Sequence, residues 1–157
     1  MSRTVSSLAR QALNAPETAD AFLVLLTLSH ADLDPPLRVT SDAVTTVSRG
    51  NSFAAFPFDL VLPDDQDSRS PRARLVIDNV DRQIVQVVRN LSSAPTILIE
   101  IIRAASPDTV EARFVDFKLT SVTYDARRVE GALTVEDFTA EPFPSAIFSP
   151  SLFPGLF

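Results

Sequence analysis

No cysteine or tryptophan occurs in this 157-residue chain, and histidine, lysine, tyrosine and methionine occur once each. Without cysteine there is no disulfide frame, no thiolate metal site and no sulfur nucleophile. The three glycines, Gly50, Gly131 and Gly155, are too few and too scattered for a dinucleotide fingerprint or a P-loop. Acid–base and nucleophilic chemistry draws mostly on His, Cys, Lys and Tyr, so the catalytic inventory is thin. A serine nucleophile would depend on His30 as its base, and no Ser stands in a G-x-S-x-G elbow. Thirteen of the fourteen basic residues are Arg and Lys118 is the only Lys, yet these cations are dispersed and the net charge is −6. A phosphate-binding stripe is missing, which argues against nucleic acid as a partner. The longest apolar run, Ala21 to Leu28, is far too short to cross a bilayer, and no continuous apolar leader follows Arg3. The chain reads as soluble and unprocessed, with no membrane insertion.

What is present is apolar surface in strand-length pieces. Hydrophobic residues make up 45% of the chain, enough for one core. Val5, Leu8, Ala9 and Ala12 recur at helical spacing, with Ser2 or Thr4 as N-cap, and this helix should end before Pro16. Phe22 to Leu28 is apolar on both faces and reads as a buried strand, followed by a Pro35-Pro36 turn and a strand over Leu37 to Thr40. Ser48-Arg49-Gly50-Asn51 joins two short strands as a hairpin, with Gly50 and Asn51 supplying positive φ. Phe56, Phe58, Leu60 and Leu62 alternate beyond it, and Pro57 marks an edge or a bulge. Ala73, Leu75 and Ile77 form a half-buried strand, and Ile84, Val87, Val88 and Leu91 lie on one face of a helix opened by Asp81. Ile97 to Ile102 reads as a central strand with Glu100 as its one polar exception. Val115, Phe117 and Leu119 should share a face of the long strand Ala112 to Tyr124, which turns at Arg127-Arg128 into Val129 to Val135.

Two acidic clusters invite a metal reading. His30-Ala31-Asp32-Leu33-Asp34 falls in a turn whose Asp side chains bond local backbone, and a site needs three or four converging ligands. Asp64, Asp65 and Asp67 lack the turn Gly and the closing Glu of a calcium loop. Neither a metal nor a cofactor is expected, and the chain does not read as an enzyme.

The final segment, Phe138 to Phe157, holds five of the eleven Phe and four of the twelve Pro. Proline interrupts both helix and ladder there, so the apolar side chains must dock on a surface instead of forming a regular element. Burying five Phe does not offset the entropy of ordering twenty backbones, so further contacts have to hold such an arm. Residues 1–137 are expected to form one β-rich domain, mainly β (α+β), a β-sandwich or β-barrel of about eight or nine strands with a short N-terminal helix and one packed helix. Residues 138–157 form its arm. The interface residues expected on the arm are Phe138, Phe143, Phe148, Leu152, Phe153, Leu156 and Phe157. Arg72 and Arg74 are the weaker candidates, facing a neighbour's Asp64 to Asp67 loop.

Taken in order, SLARQALNAPETADAFLVLLTLSHADLDPPLRV, FPFDLVLPDD, PRARLVIDNVDRQIV and the ending FPSAIFSPSLFPGLF resemble a family of short proteins encoded in the tail-gene clusters of long-tailed phages and prophages. The resemblance runs nearly end to end and carries no catalytic motif. It implies a structural component of the tail tip, in a distal-tail ring or beside the hub, assembled in the host cytoplasm and carried on the virion tail. The implied partners are further copies of itself, as a ring with a hexamer favoured over a trimer, together with tail tube and hub proteins. Alternatives are a tail-assembly chaperone or completion factor, and a small hydrolase or carbohydrate-binding module acting at the host envelope.

Overall fold

The computed structural model describes residues 5–62, 72–78, 91–124, 128–135 and 155. Among them the chain forms one short helix, α1 (Ser7–Asn14), and nine strands: β1 (Phe22–His30), β2 (Leu33–Thr40), β3 (Thr46–Ser48), β4 (Asn51–Ala55), β5 (Phe58–Val61), β6 (Arg72–Asp78), β7 (Thr96–Arg103), β8 (Ser106–Tyr124) and β9 (Arg128–Thr134). They make one open mixed sheet in the order β3-β4-β2-β1-β7-β8-β9-β6-β5. The fold is mostly β, in keeping with the α+β, barrel-like or sandwich-like class expected. The helix expected after Asp81 and the arm from Phe138 lie outside the described residues, apart from Leu91 and Gly155.

The continuous apolar run of β1 is explained by burial on both faces. Val24, Leu26 and Leu28 point into the large core, where Ile97, Ile99, Phe114, Phe117, Leu119, Leu133, Leu75 and Ala73 meet. Leu23 and Leu25 point the other way, into a smaller cluster with Ile102, Val110 and Phe53. Phe53 comes from the β3–β4 hairpin, which curls back over this second face until it touches the start of β8. There Ser48 Oγ donates to the Pro107 carbonyl at 2.7 Å, and the Arg49 amide donates to Asp108 Oδ1 at 2.6 Å. The sheet is open in its ladder but nearly closes on itself at this end.

Several local expectations need correction. The helix is capped by Ser6, whose hydroxyl accepts from the Ala9 amide, and Leu8 is 57% exposed while Ala9 is buried. Pro35 and Pro36 do not make the turn; they lie inside β2, and the reversal is at Ala31-Asp32. The β1–β2 register slips between Leu28↔Leu37 and His30↔Leu33, so the prolines occupy a bulge where the ladder asks for no amide donor. Positive φ in the hairpin falls on Arg49 and Gly50, not on Asn51. Leu62 leaves the alternating apolar face and is 37% exposed. Val115 does not share the face of Phe117 and Leu119: the next residue, Asp116, has φ of 63°, the register with β7 slips there, and Val115 is turned outward at 47% exposure.

Candidate functional site

Three polar clusters stand out. The deepest is built on Glu100, in the middle of β7, whose side chain is 3% exposed. Register places it opposite Leu25 on β1 and Arg113 on β8, on the face of the smaller core. A carboxylate there is costly unless paired. Arg49 reaches down from the hairpin turn and donates to both oxygens, Nη1 to Oε1 at 3.0 Å and Nη2 to Oε2 at 2.5 Å, and Arg113 Nε adds a longer contact at 3.6 Å. The Glu100 bond and charge raise the Arg49 pKa against the opposing effect of burial. This bidentate fork fastens the hairpin over Phe53.

The second cluster ties the N-terminal helix to the β7–β8 turn. Arg103 donates to Asp20 Oδ2 at 2.9 Å and to Glu111 Oε1 at 3.0 Å. Glu111 also accepts from the Ser6 amide at 2.9 Å and the Ser6 hydroxyl at 2.8 Å. Burial pushes the Glu111 carboxyl up, but the two Ser6 bonds and Arg103 outweigh it, and the group sits below its ordinary 4.5.

The third cluster gathers His30, Asp32, Ser92 and Ser93, the combination to inspect for nucleophilic catalysis. His30 Nε2 lies 2.8 Å from Ser93 Oγ, and Nδ1 lies 3.4 Å from Asp32 Oδ2. The proton order is wrong for a Ser–His–Asp triad. The Asp32 backbone amide donates to Nδ1 at 3.0 Å, so Nδ1 is an acceptor and the proton of the neutral ring sits on Nε2, donated toward Ser93. A triad requires Nε2 to accept from the serine and Nδ1 to donate to the carboxylate. Asp32 accepts instead from the Ser92 hydroxyl at 2.6 Å, and that bond, with the bond from the Ser92 amide, lowers its pKa. The cluster clips the β1–β2 turn to the segment that enters β7.

By spacing alone His30 and Asp32 read as a turn whose side chains bond local backbone, and Glu100 reads only as a polar exception within an apolar strand. Spacing gives no signal for Arg49, because the partners are 51 residues apart. Of the expected interface residues, Arg74 is on β6, where its Nε donates to Glu130 Oε1 on β9 at 2.6 Å with both side chains exposed. The seven arm residues, the Arg72 side chain and the Asp64–Asp67 loop lie outside the described residues. Among the described residues no group of three or more His, Asp or Glu is placed to hold a metal ion, and no helix is long and apolar enough to cross a membrane.

The ion clusters thus brace an open, mostly β sheet, and the one Ser–His–Asp grouping has the polarity of a clip. Within that class the chain belongs to the family described as a domain of unknown function, DUF1833, which it matches over residues 8–148. No curated protein matches the chain.

Proposed function

We propose that this protein is a structural component of a phage tail tip, in a distal-tail ring or beside the hub, that assembles with itself and with tube and hub proteins. The observation that carries this reading is the open sheet, whose outermost strands among the described residues, β3 and β5, bear exposed apolar side chains, Val47 at 59% and Val61 at 62%. The unpaired backbone groups of an outer strand are a template on which another chain can pair. The Phe/Pro arm and the ordered resemblance to tail-cluster proteins point the same way, and a sheet braced by internal ion pairs suits a part that carries contacts. Mass spectrometry of purified virions tests the proposal. Peptides of this chain at a stoichiometry of several copies per tail are expected; their absence from finished particles, with presence in assembly intermediates, would make the protein a chaperone or completion factor instead.

A further inference from the structure

Over β8, β9, β6 and β5 the sheet face opposite the large core carries two cross-strand rows. Thr120, Ala132, Arg74 and Val61 stand in one, and Thr123, Glu130, Val76 and Asp59 in the next. Between the rows is a depression of about 390 Å³ floored by the small residues Gly131 and Ala132 and bounded by Arg74, Glu130, Thr123 and Val61. Val61, at its rim, is 62% exposed. The face is therefore both knob and hole, and beside the depression the cation Arg74 stands next to the anion Glu130, with a second carboxylate, Asp59, at the far end of the Glu130 row. Covering it also strands few polar groups, because the Thr120 hydroxyl already donates to the Ala132 carbonyl at 3.2 Å and meets Thr134 Oγ1 at 3.4 Å.

The geometry points to a second copy of this chain as the occupant, docked face to face about a twofold axis, with Val61 of each copy entering the depression of the other and Arg74 of each lying over the partner's Glu130. A surface that contains its own complement in shape and charge is what an isologous contact requires. Three strands contributing about seven residues each and β5 contributing four, spaced about 4.8 Å apart, give a footprint of about 400 Å² per copy, which places the contact in the weak class, with micromolar dissociation expected. This deepens the self-assembly reading above. A twofold contact closes at two copies and leaves the sheet edges for any head-to-tail ring.

The test mixes two charge variants of the full chain, Arg74→Glu and Glu130→Arg, with far-ultraviolet circular dichroism and urea midpoints checking that each folds. Wild type is expected to dimerise by sedimentation at about 100 µM, and each variant alone, with two like charges in place of the Arg74–Glu130 pair, to associate at least about tenfold more weakly. Mixed together, they regain dimerisation as a one-to-one heterodimer that native mass spectrometry resolves by mass. A merely intrachain role for the Arg74–Glu130 pair gives no rescue on mixing. Wild-type association that neither variant weakens, or that mixing does not restore, overturns this face while leaving self-assembly standing. A monomeric wild type overturns the inference, and virion mass spectrometry still decides the tail reading separately.

Discussion

At Arg49 two local rules collide. A two-residue hairpin turn with positive φ at both central positions favours Asn, Asp or Gly, and Arg49 adopts φ of 48° without any of their advantages. The guanidinium is what holds it there, because without it Glu100 is a buried carboxylate left with the distant Arg113. Losing a partner from a fully buried pair costs about 3–5 kcal/mol, and less here because Arg49 is itself 39% exposed. Relief of turn strain is worth about 1 kcal/mol. Buried charge should therefore win: Arg49→Asn is expected to lower stability by about 1 kcal/mol despite improving the turn. A urea midpoint that rises in this variant would sink the argument. Glu111 supports a second prediction. Its folded pKa is depressed below 4.5, so its contribution is fully present above about pH 4.5 and is lost as pH falls through the lower folded value. Urea midpoints measured from pH 7 down to pH 3 should fall more steeply below pH 4.5 for wild type than for Glu111→Gln; parallel curves would remove Glu111 from the acid response.

At the scale of the element, β8 shows how a long alternating pattern breaks. Its 19 residues pair first with β7 and then with β9. Near Asp116, within the β7 pairing, and near Ser121, within the β9 pairing, the register slips by one residue, and both positions have positive φ. Each slip adds a residue to β8, bends it and reverses which side chains face the core. That is why Val115 is outside while Phe114 and Phe117, three residues apart, are both buried. Nothing in the composition of Val115 or Asp116 announces a bulge, since the cause is the curvature needed to wrap the large core. Ser121 is the less suited of the two to φ > 0, because Asp visits that region more readily. Ser121→Gly should stabilise the protein by about 0.5–1 kcal/mol. A drop in the thermal midpoint would show that the Ser121 side chain contributes more than its strain. The β2 prolines teach the same lesson: Pro-Pro reads as a turn in isolation, but a strand bulge satisfies proline equally well, and the turn went to the residues His30 and Asp32 clip in place.

For the whole molecule, the sheet curls until its β3–β4 end meets β8, while β9, β6 and β5 extend beyond with a polar outer face. If the Phe/Pro arm serves assembly, deleting Phe143 to Phe157 should leave a soluble domain with an unchanged circular dichroism spectrum and block formation of tails. Intact tails carrying the truncated protein would overturn that role, and an insoluble fragment would show that the arm straps its own domain.

The sequence by itself determined where most of the described strands lie, apart from the first half of β2 (Leu33–Thr40) and the start of β8 (Ser106–Tyr124), because alternation, apolar runs and turn residues act within a few positions of one another. It also determined the thinness of the catalytic inventory and the presence of an apolar, proline-broken end. Only the tertiary structure decided that the Ser48–Asn51 hairpin folds over a second core, that Glu100 is neutralised by Arg49 across 51 positions, and that His30 and Ser93 meet with the proton on the wrong nitrogen for attack. Each of those depends on how a curved sheet brings distant strands together, and a cation's partner or a ring's proton is set by whichever neighbour the curvature delivers.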